Sequence, residues 1–531
     1  METMEERLKS MEGKNYEYLA NIAGKSNKYY LYEIIQKLLD IRNKTNIKNT
    51  DFPNLDLYIK NPTFYTFAFS LSNFINFQIL KILSLSLKFP FANNIFVKVL
   101  ESSLKFASSQ ERKEIFLKNI EKNRKDVNFE NEVIPISRIK ANVFYKKNIL
   151  DKEYQYTVFS QLFRKTRSYP KENYLCKKDD RLFKINLIGE GATDFSGAYN
   201  EIISIISTEL ESPCLDLFIK TPNNKNEIGS LRDKYMPNPK AKGSLKKDLY
   251  YFLGNLMVHS ISSGNVLNLN LHPIFYKKIL NKEIDFSEIE SLDKLSYKLI
   301  SNLENIKTEE EFNILNEDLY FAVHSSGDNS LVELVENGQY KKVTFDNLSE
   351  FINLYKKFLL TEYDNQISYI RSGIFDILMK DCKKNLSYLL EPEDLEEFIT
   401  GTPILDMQLL REKTQSDSYE SNSKVMINFW RALESFTDEE RSLYLKFVCG
   451  RTRLPKTRNF NFIHYIKKLN QRNPDKYLPT STTCYFTLNL PEYSTYEILR
   501  DKLRYVIHNC SSIDADFVPE EGADQFDEQF E

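Results

Sequence analysis

A short apolar alternation pinned between two prolines constrains this chain more than any other feature. Pro479 leads into Thr480-Ser481-Thr482-Thr483-Cys484, then Tyr485-Phe486-Thr487-Leu488-Asn489-Leu490, and Pro491 stops the pattern. Alternation bounded by proline predicts a short, half-buried strand with Cys484 at its mouth. A thiol fixed at a loop-to-strand junction is exposed and held in place, which a transferable acyl thioester needs. A lone cysteine is more often a buried structural residue. The rest of the chain has to decide between these two readings.

Length and charge narrow the choice. With 531 residues the chain has room for roughly two to four domains, each with its own core. Its 72 basic and 75 acidic residues give a net charge of −3, without the basic excess of a general nucleic-acid binder. No Lys or Arg follows Arg504, while Asp514, Asp516, Glu520, Glu521, Asp524, Asp527, Glu528 and Glu531 accumulate, so residues 511–531 read as a solvated acidic tail. The six cysteines are scattered without a CxxC pair, and the five histidines lack HxxxH or HExxH spacing. Neither a disulfide scaffold nor a metal site is expected, and no cofactor is called for. The cysteine usage and the charged N-terminus, which carries no signal-peptide core, predict a reducing compartment. We expect the cytoplasm, with the nucleus as a second location. Residues 61–80 carry no charge, yet Thr63, Thr66, Ser70, Ser72, Asn73, Asn76 and Gln78 interrupt them. Polar residues at that density are costly in lipid, so a buried soluble helix is expected rather than a membrane span.

Hydrophobic periodicity sets the organisation. Residues 1–125 read as helical throughout, with Tyr30, Leu31, Ile34, Ile35, Leu38 and Leu39 near a 3.6 period. Val133–Tyr145 looks strand-like, Glu153–Arg167 helical, Arg181–Ile188 a strand closed by Gly189-Glu190-Gly191, and Ala198–Leu210 an amphipathic helix. The glycines at 189, 191 and 197 fail the GxGxxG spacing and no GK[ST] follows, so a tight strand-to-helix turn is favoured over nucleotide binding. Leu245–Leu280 is helix-rich, Leu331–Thr344 reads as a hairpin around Asn337-Gly338, and Asn347–Lys380 as long helix. Thr400-Gly401-Thr402-Pro403 and the polar run Lys413–Ser423 are both candidate joints, and composition alone favours the second. Beyond them, helices over Val425–Leu433, Asp438–Val448 and Thr495–Asn509 surround the Cys484 strand as a compact α/β region.

The run Leu478-Pro479-Thr480-Ser481-Thr482-Thr483-Cys484, with Leu488, Leu490-Pro491-Glu492-Tyr493-Ser494 and Leu503, resembles the active-site segment of HECT ubiquitin ligases. Phe429-Trp430, Phe436, Glu439-Glu440-Arg441, Phe447-Val448 and Gly450-Arg451-Thr452-Arg453-Leu454-Pro455 fall in that family's order and spacing. Gly189-Glu190, Asp194, Gly197, Glu201, Asn337-Gly338, Gly373, Pro392, Leu395 and Gly401 do so upstream. The likeness spans residues 131–510, and Gly450–Pro455 makes it most similar to the HERC group, without the propeller repeats of HERC proteins.

This resemblance implies an α+β, bilobal HECT domain preceded by an all-helical N-terminal region (1–125). It implies a mainly helical N-lobe (131–399) with a small conjugating-enzyme-binding subdomain (281–360), a hinge (400–403), and a small α/β C-lobe (404–510). Lys413–Ser423 then becomes a loop inside the C-lobe. It further implies an E3 ligase whose partners are ubiquitin, a ubiquitin-conjugating enzyme and a protein substrate. Cys484 would carry ubiquitin as a thioester, with Thr483 orienting it. Phe351 and Tyr355 match two aromatic positions of the docking groove, four residues apart on one helix face, and Leu295 and Leu299 share that spacing on a second helix. The chain also departs from the family. Thr482 stands where most members have histidine, Tyr485-Phe486 where most have Phe-Asn, and the acidic tail surrounds Phe526 and Phe530 near the family's C-terminal Phe position. Two other readings remain at this level, a thiol hydrolase, which would need a His and an Asn or Asp beside Cys484, and a catalytically weak or inactive scaffold. His464 and His508 read as surface or partly buried residues rather than general bases.

Overall fold

The computed structural model describes residues 109–124, 133–176, 181–189, 197–315, 319–378, 389–402, 405–416, 418–454, 462–483 and 486–509. The chain forms two compact units, Met1–Lys118 with Asp381–Leu390, and Asn119–Lys380 with Glu391–Glu531. Apart from helix α1 (Ser109–Asn123), the elements below belong to the second. The expectations for residues 1–108, the uncharged stretch 61–80 and the acidic tail lie outside the described residues. Among those described, no helix is long and apolar enough to cross a membrane.

Among its described residues the unit mixes helix with four small sheets. Strand β1 (Val133–Ile136) is followed at once by α2 (Arg138–Lys146), because Ser137 accepts the Lys140 N–H and caps a helix there. The β-branched and aromatic run Val143-Phe144-Tyr145 is therefore helical, not strand. Helix α3 (Val158–Thr166) begins five residues later than its periodicity suggests. The preceding residues wrap the buried Asp151 carboxylate, which accepts the amides of Gln155, Tyr156 and Thr157. Strand β2 (Lys184–Leu187) pairs parallel with β1, and α4 (Gly197–Leu210) follows. Glu201 of α4 forms an ion pair with Arg138 at 2.5 Å. Strands β3 (Phe218–Lys220) and β4 (Tyr235–Pro237) pair antiparallel ahead of α5 (Ser244–Ser263) and α6 (Pro273–Ile279).

Helix α5 is the centre of this part. Every residue from Phe252 to Ser263 is buried, so no polar face is left for solvent. It crosses α10 (Asp364–Leu378) at a point where Gly254 meets Gly373. A Cβ at 373 would stand 2.1 Å from the Tyr251 carbonyl oxygen, and one at 254 would stand 2.2 Å from that of Ile370. Only glycine lets the two backbones approach that closely.

Between these helices lie α7 (Lys294–Asn305), α8 (Glu309–Leu315), the antiparallel pair β5 (Ala322–His324) and β6 (Leu331–Glu333), and α9 (Leu348–Thr361). The hairpin expected around Asn337-Gly338 is not formed. β6 pairs back onto β5 through the turn at 325–330, and Asn337, at φ 55, only reverses the chain. The long helix expected over Asn347–Lys380 is two helices as far as it is described, to Leu378, broken where Glu362 turns to accept from Ser325 and Ser326.

Helix α11 (Pro392–Thr400) leads to α12 (Met407–Glu412) and a four-stranded sheet in the order β7 (Thr414–Gln415), β8 (His464–Leu469), β10 (Thr487–Pro491), β9 (Thr480–Thr482). Helices α13 (Lys424–Ser435), α14 (Asp438–Cys449) and α15 (Tyr496–Asn509) enclose its core of Phe429, Leu433, Tyr444, Leu445, Ile466, Leu488, Leu490, Leu499 and Leu503. Caps define the first two. Ser423 accepts the Met426 N–H, and Thr437 with Glu440 forms a capping box.

Gly373→Ala tests the crossing. At an exposed helical site this change would gain about 1 kcal/mol; here the overlap should cost about 1–3 kcal/mol. It should appear as a lower denaturant midpoint at unchanged m-value.

Candidate functional site

In sequence the candidate nucleophile, Cys484, falls between the edge strand β9 and the inner strand β10. β9 and β10 pair antiparallel with Thr482 opposite Thr487, Ser481 opposite Leu488 and Thr480 opposite Asn489. The ladder ends at Thr482, and beyond it the Phe486 N–H donates to the Thr483 carbonyl at 3.3 Å. Cys484 and Tyr485, the two residues between, lie outside the described residues. Their flanks are held firmly. Ser481 Oγ donates to the Phe447 carbonyl at the end of α14 at 2.6 Å, and the Tyr465 N–H of β8 donates to the Phe486 carbonyl at 3.0 Å. Thr482 is exposed and its hydroxyl takes a long 3.5 Å bond from Asn489 Nδ2, while Thr483 is half-buried.

Phe486 has a φ of 48°, the left-handed region. This is the position where most HECT proteins have Asn, a residue that tolerates such a backbone. A phenylalanine there costs on the order of 1 kcal/mol, and its ring is placed to offset that. It stacks on Phe462 at 5.3 Å and tilts over His464 at 4.9 Å. The side chain departs from the family while the backbone keeps a conformation suited to asparagine.

His464 lies beneath this shelf, fully buried. Thr414 Oγ1 donates its only proton to the Leu410 carbonyl, so it must accept from His464 Nδ1, 2.9 Å away. Nε2 then accepts from the Tyr444 hydroxyl at 2.8 Å. Both ring nitrogens are committed, and burial lowers the imidazole pKa from 6.5 to about 3. His464 is a neutral structural residue. His508 is exposed on α15, 3.4 Å from Glu440.

A thiol–imidazole contact away from this segment, Cys176 Sγ to His259 Nδ1 at 3.2 Å, has the look of a hydrolase dyad. Both groups are sealed, however, and Tyr199 OH holds His259 Nε2 at 2.7 Å. Burial raises Cys214 to about 12 and Cys449 to about 11, so neither is a ready nucleophile. Cys382 and Cys510 lie outside the described residues.

The docking candidates fall on α7 and α9, two helices joined by Ser296 Oγ and Tyr355 OH at 2.9 Å. Phe351 is only 1% exposed, set edge-on to Phe321 at 5.6 Å and 5.8 Å from the Tyr355 ring. It forms the floor of this subdomain rather than a surface a partner touches, because its ring is spent on the core. Tyr355 is also buried, Leu299 half-buried, and Leu295 is 57% exposed. The exposed aromatic Tyr340 and the exposed Leu331 and Ile314 of the same subdomain were not singled out by spacing. Ile314 sits on the short helix α8, Leu331 opens the three-residue strand β6 and Tyr340 lies in a turn, all too short for periodicity to give a signal.

A hairpin whose link carries Cys484 in sequence, on a small helix-covered sheet that follows a mainly helical stretch, matches the arrangement that the resemblance implies for a thiol-carrying transferase. The chain belongs to the HECT-domain (ubiquitin-transferase) family, whose model matches residues 204–515. It is 33% identical over 366 residues to the human E3 ubiquitin-protein ligase HERC2, covering 68% of this chain and 7% of that protein. It is 31% identical over 281 residues to a putative E3 ubiquitin-protein ligase of Plasmodium falciparum, covering 50% of this chain and 3% of the relative. With mouse HUWE1 it shares 30% identity over 335 residues, 61% of this chain and 7% of that protein. The chain thus spans a small fraction of these large relatives.

The neutral, buried His464 gives the C-terminal sheet a defined acid response. Its folded pKa lies below the unfolded value of 6.5, so its contribution is complete above about pH 6.5 and is lost as pH falls toward about 3. Urea midpoints of wild type should fall across that window. His464→Gln should show a shallower fall, with His259 and His272 supplying what remains; an unchanged slope would mean His464 takes up its proton without unfolding.

Proposed function

We propose that the chain is a HECT-type E3 ubiquitin-protein ligase that accepts ubiquitin on Cys484 and passes it to a substrate lysine. The observation that carries this is the family match over residues 204–515, which includes the Cys484 hairpin and the helices ahead of it. The Cys484 thiolate adds to the carbonyl of ubiquitin's thioester on a conjugating enzyme, and that enzyme's thiolate leaves. One thioester is exchanged for another, so the step is nearly isoenergetic. A lysine amine then attacks the new thioester, Cys484 leaves as thiolate, and the amine proton passes to solvent. Thr483, whose carbonyl closes the turn, positions the thioester.

Two transfers at different partners require the cysteine to visit two places. We assign residues 1–125 to an N-terminal helical region, 131–399 to an N-lobe with its subdomain at 281–360, 400–403 to the hinge, 404–510 to the C-lobe and 511–531 to the acidic tail. Gly401 supports the hinge assignment, with its φ of 68° between α11 and the small sheet. Leu295 and Leu299 supply the accessible part of the conjugating-enzyme groove, with Phe351 and Tyr355 beneath them. We place the reaction in the cytoplasm, with no metal or cofactor, no nucleic acid and no membrane span involved. The departure at Thr482, together with the commitment of both His464 nitrogens, favours a second reading, an inactive scaffold that keeps the fold.

Incubation with activating enzyme, a panel of conjugating enzymes and labelled ubiquitin separates the readings. A ligase gives a reductant-sensitive adduct that Cys484→Ala abolishes. No adduct with any conjugating enzyme leaves the scaffold. Leu295→Asp, at an exposed position, should slow charging by roughly tenfold or more, the loss of one apolar anchor, while leaving the melting temperature in place.

A further inference from the structure

The segment Cys449–Leu454 leaves α14 through Gly450, a left-handed cap, and lies along the loop that follows α5. Asn200 Nδ2 of α4 donates to the Cys449 carbonyl at 3.2 Å. The Arg451 guanidinium donates to Asn265 Oδ1 and, at 3.5 Å, to the Gly264 carbonyl. Arg453 donates to Asn270 Oδ1 and, at 3.4 Å, to the Leu269 carbonyl. On the other side, Thr402 N–H and Oγ1 both donate to the Leu454 carbonyl, at 3.1 and 3.3 Å. The strap is therefore gripped between the body around α5 and the backbone at Thr400–Thr402.

The receptors are set before the arginines arrive. Asn265 donates its backbone N–H and its Nδ2 to Ser263 Oγ, at 3.1 and 3.0 Å, and Ser263 is anchored on the His259 carbonyl. Asn270 donates its N–H and Nδ2 to the two oxygens of Glu211. With their donors committed inward, both amides turn their carbonyl oxygens to the strap. A crevice of about 10 Å³, the room one water needs, runs along the seam between polar Asn200, Asn265 and Thr452 and apolar Ile203 and Val266, and the Thr452 hydroxyl is buried there without a protein partner. Permanent interfaces resemble an apolar core, whereas this one exchanges its bonds for water when it opens.

We propose that Arg451 and Arg453 form a releasable clasp that holds the C-lobe in one of the two orientations the transfer cycle uses, with Asn265 and Asn270 as preset receptors. They are positioning residues, acting on where Cys484 is carried. The proposal rests on the reading of Cys484 as a ubiquitin carrier.

Two readouts on the full chain test it. In single-turnover assays, charging from a conjugating enzyme and discharge to free lysine are timed separately. The Arg451→Ala/Arg453→Ala variant should change the ratio of the two rates by about tenfold or more, the scale of one lost charge-assisted hydrogen bond. Asn265→Asp, which gives Arg451 a carboxylate, should shift that ratio the other way. Hydrogen exchange of the uncharged protein reads the seam directly. The Thr402 amide, bonded across it, should exchange at least about tenfold faster in the double variant, with the Leu488 and Leu490 amides of β10 unchanged. An unchanged ratio, or both rates falling in proportion, overturns the clasp, as does unchanged Thr402 exchange. If wild type never charges, the carrier reading fails instead, and Thr402 exchange still decides whether the clasp exists. If the double variant does not fold, Asn265→Asp decides through the sign of its shift and through slower Thr402 exchange.

Discussion

The contact between Gly254 and Gly373 is the constraint from which the helical body is built. Because neither residue carries a Cβ, α5 and α10 cross backbone to backbone, and α5 is drawn inside along the whole stretch Phe252–Ser263. Burying a helix on all sides fixes its end as tightly as its middle. Gly264 closes α5 with a left-handed cap, and Asn265 to Leu271 leave it in a defined path. That path supplies the oxygens that meet Arg451 and Arg453. A displacement at the crossing would move the receptors with it.

The chemistry of the contacts divides what is fixed from what is free to move. The small sheet is closed by an apolar cluster running from Leu410 through Phe429 and Tyr444 to Leu503. Its one deeply buried imidazole is neutral and bonded at both nitrogens. Such a core resists deformation. The strap beside it meets the body through amides, guanidinium groups and main-chain carbonyls, which water replaces at small cost. A rigid core within the sheet and a hydrogen-bonded strap beside it are what the proposed clasp requires of a lobe that moves as one piece.

Much of this was legible in the sequence, for identifiable reasons. The Cys484 segment declared itself because alternation and proline are local signals, and the closing helices because their caps and period are local too. Val133–Tyr145 is a strand only as far as Ile136, because one cap at Ser137 outweighs the β-branched run after it. Asn337-Gly338 suggested a hairpin, but β6 found its partner upstream in β5. Composition favoured Lys413–Ser423 as a joint, yet Thr414 and Gln415 pair with β8, which places them inside the sheet. Spacing placed Phe351 and Tyr355 on one helix face, but spacing cannot tell a face turned to a partner from one turned to the core. The receptors Asn265 and Asn270 gave no signal, since the arginines that define them lie 186 and 183 residues away.

The strand order carries a consequence for how the protein is made. The central strand β10 is the last of the sheet to be synthesised, and its two flanks wait for it. β7 reaches β8 across 50 residues, from Thr414 to His464, and offers only a two-residue pairing. The β9–β10 hairpin, by contrast, closes on its own neighbours. Leu499 and Leu503 of α15 complete the core later still. A chain emerging from the ribosome therefore holds a finished helical body long before it holds a finished sheet. The flanks of Cys484 are fixed only once β10 has paired, so a product that stops before β10 holds the helical body without a finished sheet.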